Sequence, residues 1–307
     1  MSSHAMRIGR RLSPVVVLMM VLATPLPARA EAEKVVPFRL LVSYDAKAET
    51  TILAIPGQSQ RQFAVKDISI QEKLASLAPG DRMAIVESGD SDHPVLDSIT
   101  NIQRPVSAKT RTIAVALAAA IILAFAAAAT RFRPLTLLVG VDNRISKSQT
   151  QLAIWFGVAM LAYLATIELR VWAFGFDYIG GIGITSNLLA LSGLSALSFG
   201  GAKAITISKA ADPAIPSLAA KTTAAAPKLI DLFSDDSGRP DLGDFQMMFV
   251  TVLAAVVYFF KTWQYLAWLA MDQSVDLPDV DTALLSAFGI GQGAYLVKKA
   301  ASDPGKG

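Results

Sequence analysis

Apolar residues gather in a short N-terminal run and, past residue 108, in five longer blocks separated by charge. The first long block, Arg111 to Arg131, encloses nineteen uncharged residues rich in alanine, isoleucine and leucine. At about 1.5 Å of helix rise per residue it approaches the ~30 Å hydrocarbon thickness of a bilayer. Further blocks lie between Lys147 and Glu168, between Asp177 and Lys203, and from Phe245 to Met271 with Lys261 as the interruption. The last, Thr282 to Val297, has sixteen residues and is short for a span. The pattern predicts an α-helical integral membrane protein with about five transmembrane helices.

The N-terminus has a different order. Arg7, Arg10 and Arg11 precede the apolar run Val15 to Ala23, and Ala28-Arg29-Ala30 precedes Glu31. Basic, apolar and then small-x-small residues predict an export signal cleaved after Ala30. From 31 to 108 charge returns and short β-branched or aromatic runs alternate with turn residues. Phe38–Tyr44, Thr50–Ile55, Arg82–Glu87 and Val95–Ile102 read as strands. Ser69 with Glu72 reads as a capping box for a helix ending at Leu77, before Pro79-Gly80. This is a small all-β domain, a barrel or a sandwich, with an OB-like arrangement among the options. The chain divides into a signal (1–30), the exported β domain (31–108), a first span (109–131), spans two and three (132–206), an Ala/Pro/Lys linker (207–230), spans four and five (231–300) and a tail (301–307).

Charge orients this arrangement. With 31–108 outside, the inner pieces carry Arg131, Arg133, Arg144, Lys147, Lys203, Lys209, Lys221, Lys228, Arg239, Lys298, Lys299 and Lys306, twelve basic residues against Arg170 in the outer connections. The excess predicts a bacterial inner membrane protein with a periplasmic mature N-terminus and a cytoplasmic C-terminus. Aromatic groups around Trp172 to Tyr178 and Trp263 to Trp268 suit the outer water boundary. The 53% hydrophobic content, 17% charge and mean hydropathy of +0.45 agree with lipid as the solvent. The net charge of +3 then reflects topology, and no nucleic-acid partner is expected. Cysteine is absent and the histidines are His4 and His93, so Ser-His-Asp, Cys-His and zinc chemistry are disfavoured and no cofactor is expected.

The second half repeats the first. Arg144-Ile145-Ser146 with Gln151 matches Arg239-Pro240-Asp241 with Gln246 at an offset of 95, and Leu188-Leu189, Gly193, Phe199 and Lys203 match Leu284-Leu285, Gly289, Tyr295 and Lys299 at an offset of 96. Both copies start inside and return, which predicts parallel duplicated hairpins related by an axis along the membrane normal. The pattern of Asp142-Asn143-Arg144, Ser146, Ser148-Gln149, Gln151 and Trp155, with Asp235 to Arg239 and Gly289 to Tyr295 in the second copy, resembles a group of bacterial multi-span membrane proteins with a duplicated two-helix unit and uncharacterised function. That resemblance covers about 131–300 and implies no activity.

Several polar residues are candidates. Glu168 and Lys261 are ionisable groups near span interiors that could pair with each other or reach the interface. Asp142, Asn143, Arg144, Gln151, Asp235, Asp236, Arg239 and Gln246 stand at the two equivalent helix starts, as caps or as an ion-binding group. Gly193, Ala196, Gly200, Gly289 and Gly293 form small-xxx-small pairs, expected to pack helices inside the protein. Ser192, Ser195, Ser198 and Gln292 could line a polar path or bond within their own helices. The composition favours a non-enzymatic scaffold or sensor in the lipid bilayer, with an envelope protein partner at 31–108 and a homo-oligomer in view. The alternatives are a channel or transporter subunit, and a membrane enzyme using the cytoplasmic Asp and Arg groups.

Overall fold

Alternation after residue 38 builds the first unit of the computed structural model, which describes residues 38–54, 59–89, 93–140, 142–210, 224–234 and 238–301. Strands β1 (Arg39–Asp45), β2 (Thr50–Ala54), β3 (Gln60–Ala64), β4 (Arg82–Ser88) and β5 (Val95–Pro105) lie in the order β3-β2-β1-β4-β5. A parallel contact of Ala64 with Val95 closes the barrel. Leu41, Leu53, Phe63 and Met83 are buried in the core, and a register shift against β4 lets Leu96 and Ile99, three residues apart on β5, join them. Helix α1 (Ile68–Ala75), between β3 and β4, adds Ile70 and Leu74 to that core. The barrel option is therefore the one realised.

Three details differ from the sequence reading. Strand β3 was not anticipated, because Gln60-Arg61-Gln62-Phe63-Ala64 holds one large apolar residue, and Phe63 alone faces the core. Helix α1 is capped by Asp67, whose carboxylate accepts from the Ser69 N–H at 2.7 Å, so Ser69 lies inside the helix. Strand β5 runs three residues past Ile102, because Gln103, Arg104 and Pro105 pair with a strand from far along the chain. The expected signal at 1–30 lies outside the described residues.

Beyond the barrel come five helices: α2 (Ala108–Ala129), α3 (Lys147–Phe174), α4 (Ser186–Ala210), α5 (Leu242–Tyr265) and α6 (Thr282–Ala301). Four are long and apolar enough to cross a membrane, and α6 contributes a shorter apolar stretch, Thr282–Val297. The 28 residues of α3 give about 42 Å of helix, more than a bilayer core needs. Helix α2 packs through Ala114 and Ala118 on Ala165 and Leu169 of α3. Helices α3, α4, α6 and α5 form a ring of four neighbours around Trp155, Leu188, Leu191, Ala254, Tyr258 and Phe288. Trp155 meets Phe288 edge-on at 5.7 Å. Strand β7 (Trp268–Ala270) leaves α5 and pairs with β5, while β6 (Ile182–Gly183) pairs in parallel with β8 (Val275–Asp276). The ends of α3 and α5 that precede β6 and β7 thus lie on the barrel side, and their starts lie opposite.

The same local device precedes α3 and α5, 95 residues apart. Short 3-10 turns occupy Pro134–Leu138 and Leu229–Phe233, and isolated bridges join Val139 to Ile145 and Ser234 to Pro240. Between each bridge's partners, Asn143 (φ 56) and Gly238 (φ 83) take left-handed conformations. The side chains of Ser146 and Asp241 then cap the helices by accepting from the N–H three residues on. The inward faces are offset by one residue more. Gln151 and Trp155 are buried in α3, whereas Met247 and Thr251 take those places in α5, and Gln246 is exposed.

Candidate functional site

The approach to α3 is fastened to the segment that leads into α5. Asp142 and Asn143 bond the segment before the second turn: the Ala224 N–H donates to the Asp142 carbonyl at 3.0 Å and Asn143 Nδ2 donates to the Ala224 carbonyl at 2.7 Å. The Asp231 carboxylate accepts from the N–H groups of Ile145 (3.1 Å) and Lys228 (2.9 Å). Lys147 Nζ donates to Asp244 Oδ2 at 2.7 Å and to the Ser234 carbonyl at 2.5 Å. The Asp244 side chain is 4% exposed, so this ion pair is nearly dry. The sequence marked Asp142 and Asn143 as ion-binding groups or caps; here they tie one chain segment to another. It did not mark Lys147, Asp231 or Asp244, which carry the bonds between the approaches to α3 and α5. Arg144 is half-buried and Arg239 exposed, and Asp235 and Asp236 lie outside the described residues.

A second polar group joins barrel to helices. Asp81, 1% exposed, accepts two bonds from Arg104, Nε to Oδ1 at 3.1 Å and Nη2 to Oδ2 at 3.0 Å. The third arm of Arg104 donates to the Ala173 carbonyl of α3 at 3.1 Å, and its guanidinium lies 5.1 Å from the Phe174 ring centre. Arg82 donates to Gln103 Oε1 and sits over Trp268 of β7 at 3.8 Å and Phe38 at 4.5 Å. Burial lowers the Arg82 pKa from its ordinary value, but guanidinium keeps its charge in proteins. Arg111 donates to the Trp263 carbonyl at 2.8 Å.

Arg170, assigned from sequence to an outer connection, stands inside α3 and is 1% exposed. Its guanidinium donates to the carbonyls of Tyr178, Ala270, Asp272 and Gln273 at 2.9–3.2 Å. Four carbonyl dipoles in place of a carboxylate make it a clip across the connections after α3 and β7.

Other expected contacts are not formed. Glu168 and Lys261 make no ion pair: exposed Lys261 lies 3.4 Å from the Asp279 carbonyl, while both Glu168 carboxylate oxygens are buried without a hydrogen-bond partner among the described residues. Glu168 stands on the stretch of α3 that packs on α2, between Ala165 and Leu169, whereas Lys261 of α5 reaches toward the connection before α6. Gly193, Ala196 and Gly200 are exposed, and a Cβ on either glycine would meet nothing within 4 Å. These three face outward and pack no helix inside. Gly289 does face a neighbour, since a Cβ there would meet Leu194 of α4 at 3.8 Å, and Gly293 is half-buried. Ser192 and Ser195 donate to carbonyls of their own helix.

Inside the ring, Gln151 Nε2 donates to Thr251 Oγ1 at 2.8 Å. Gln246 is not its counterpart but lines, with Met247, Val250, Phe288, Gly291 and Gln292, a hollow of about 10 Å³, room for one water molecule. Among the described residues no three His, Cys, Asp or Glu side chains gather as metal ligands would. No protein family, curated protein or solved structure matches the chain.

Proposed function

We propose that the chain is a membrane-anchored scaffold or sensor that presents an exported barrel rigidly on a platform of helices. The observation that carries this reading is the seam: β5 continues out of the barrel to pair with β7 beside the helix ends, and Arg104 links buried Asp81 to α3. A tethered domain that only hung from α2 would need neither. Such a connection can pass a change at the barrel to the helices, which is what a sensor or scaffold requires.

The finer parts of the reading follow from this. The strand order, with a helix between β3 and β4, fits the OB-like arrangement. The matched turns, bridges and caps before α3 and α5 support an internal duplication of parallel hairpins. The basic residues at the ends of the bundle away from the barrel support a bacterial inner membrane with the barrel periplasmic, and the N-terminal pattern supports a cleaved signal. The partner is an envelope protein that binds the barrel.

Photo-crosslinking residues placed at exposed Gln62 and Glu72 of the full-length chain test this in cells. A discrete crosslinked protein, lost when the barrel face is altered, is expected; lipid adducts or no adduct at every barrel position contradicts the reading. A channel or transporter subunit is the second reading, favoured by the unpartnered Glu168 carboxylate. It requires liposome flux that Glu168→Ala abolishes.

A further inference from the structure

The membrane reading, on which this inference rests, leaves a set of large apolar side chains outside the apolar spans at the end of the bundle away from the barrel. Between α2 and α3, the turn Pro134–Leu138 exposes Leu135 (75%) and Leu137 (52%), next to Phe132 (86%). Before α5, the turn Leu229–Phe233 exposes Leu229 (75%) and Ile230 (56%). Both turns lie on the side of the bundle away from the barrel, at the ends of helices that suit a bilayer. In water such side chains are poorly placed, and no element among the described residues covers them.

Cations accompany the apolar groups. Arg131 and Arg133 are exposed beside the first turn, and Lys228 beside the second. The stretch from Thr130 to Gly140 holds no acidic residue. In the second turn the acid is Asp231, whose Oδ2 is occupied by the backbone N–H groups of Ile145 and Lys228. That bond also joins the two copies, so both turns belong to one frame. Aliphatic side chains beside cations, at the end of a span, match the acyl and phosphate layers of a leaflet that carries anionic lipid.

We propose that the turns Pro134–Leu138 and Leu229–Phe233 form a paired wedge that lies in the headgroup layer and selects anionic lipids through Arg131, Arg133 and Lys228. The occupant is a lipid surface, because the first turn carries uncompensated positive charge at Arg131 and Arg133 and both turns expose an aliphatic side chain at the matching position, Leu135 and Ile230.

The chain lacks cysteine, so single nitroxide labels can be placed in the full-length protein at Leu135→Cys, Ile230→Cys and, as a lipid control on exposed Phe125 of α2, Phe125→Cys. In nanodiscs of phosphatidylcholine with and without phosphatidylglycerol, oxygen and nickel-chelate accessibility gives each label's depth. The first two labels are expected at headgroup depth, shallower than the control. Preference for spin-labelled phosphatidylglycerol is expected to fall by up to roughly thirtyfold in Arg131→Gln/Arg133→Gln, about fivefold per arginine. Labels at 135 and 230 that are as water-accessible as a loop, with Phe125→Cys in lipid, overturn the wedge and leave the membrane reading standing. Water access at all three positions overturns both. Correct depth without anionic preference in the unaltered protein overturns the selectivity.

Discussion

Lys147 and Asp244 form the pair with the most at stake at the scale of single residues. Removing the ammonium takes the salt-bridge partner from a carboxylate that is 4% exposed, and breaking a buried pair from one side costs about 3–5 kcal/mol. Lys147→Met should therefore lower the denaturation midpoint sharply, whereas Lys147→Met/Asp244→Leu should recover most of the loss; equal destabilisation by both would show that charge pairing is not what the site contributes. Asp67 gives a pH-dependent counterpart in the barrel. Its carboxyl is held below the ordinary value near 3.8, chiefly by hydrogen bonding to Ser69. A lowered folded-state pKa means that the unfolded chain binds the proton first, so the cap's contribution is present above the ordinary value and fades as pH falls through the folded one. Barrel unfolding followed between neutral pH and pH 3 should show a smaller acid loss in Asp67→Asn, and an unchanged acid profile would refute the assignment. The sequence displayed these residues without their partners. Lys147 looked like one more inner charge and Arg170 like an outer one, because only the fold brings Asp244 and four backbone carbonyls to them.

At the scale of elements, the seam between β5 and β7 is the feature that periodicity could not disclose. Trp268-Leu269-Ala270 reads as the end of an apolar span, and it becomes a strand only because β5 supplies an edge. The Val106 N–H donates to the Ala267 carbonyl and the Met271 N–H to the Ile102 carbonyl, each at 2.9 Å. Hydrogen exchange should find these amides about as protected as those of the barrel strands, and Arg104→Gln should speed both while β2 and β3 stay slow. Rapid exchange at Val106 in the unaltered protein would mean a loosely tethered barrel. The β6–β8 contact depends on Gly181, whose φ is +72 and whose absent Cβ would collide with the Gln273 carbonyl, itself an acceptor for Arg170. Gly181→Ala is expected to cost at least about 1 kcal/mol from backbone conformation alone, read as a lower thermal midpoint. The four long apolar helices and four of the five barrel strands were legible from hydrophobic spacing. The one-residue rotation between α3 and α5 was not, since sequence aligns Gln151 with Gln246 while packing aligns it with Met247.

For the whole molecule, the long helices and the barrel fit a single arrangement: β5 leads into α2, α3 returns to the barrel at Ala173, and α5 returns to it through β7. The two polar approaches, around Arg144 and Arg239, consequently share the opposite end with the paired turns. That geometry separates the molecule into a barrel side and a basic side, and the account stands on a bilayer lying between them. Because the chain contains no cysteine, Glu72→Cys in α1 and Ala225→Cys before the second turn, both exposed, can each be offered a membrane-impermeant maleimide on intact and on permeabilised bacterial cells. Labelling of Glu72→Cys once the outer membrane is opened, with Ala225→Cys labelled only after the inner membrane is also breached, is the predicted result; simultaneous labelling of the two, or the reverse order, would contradict it.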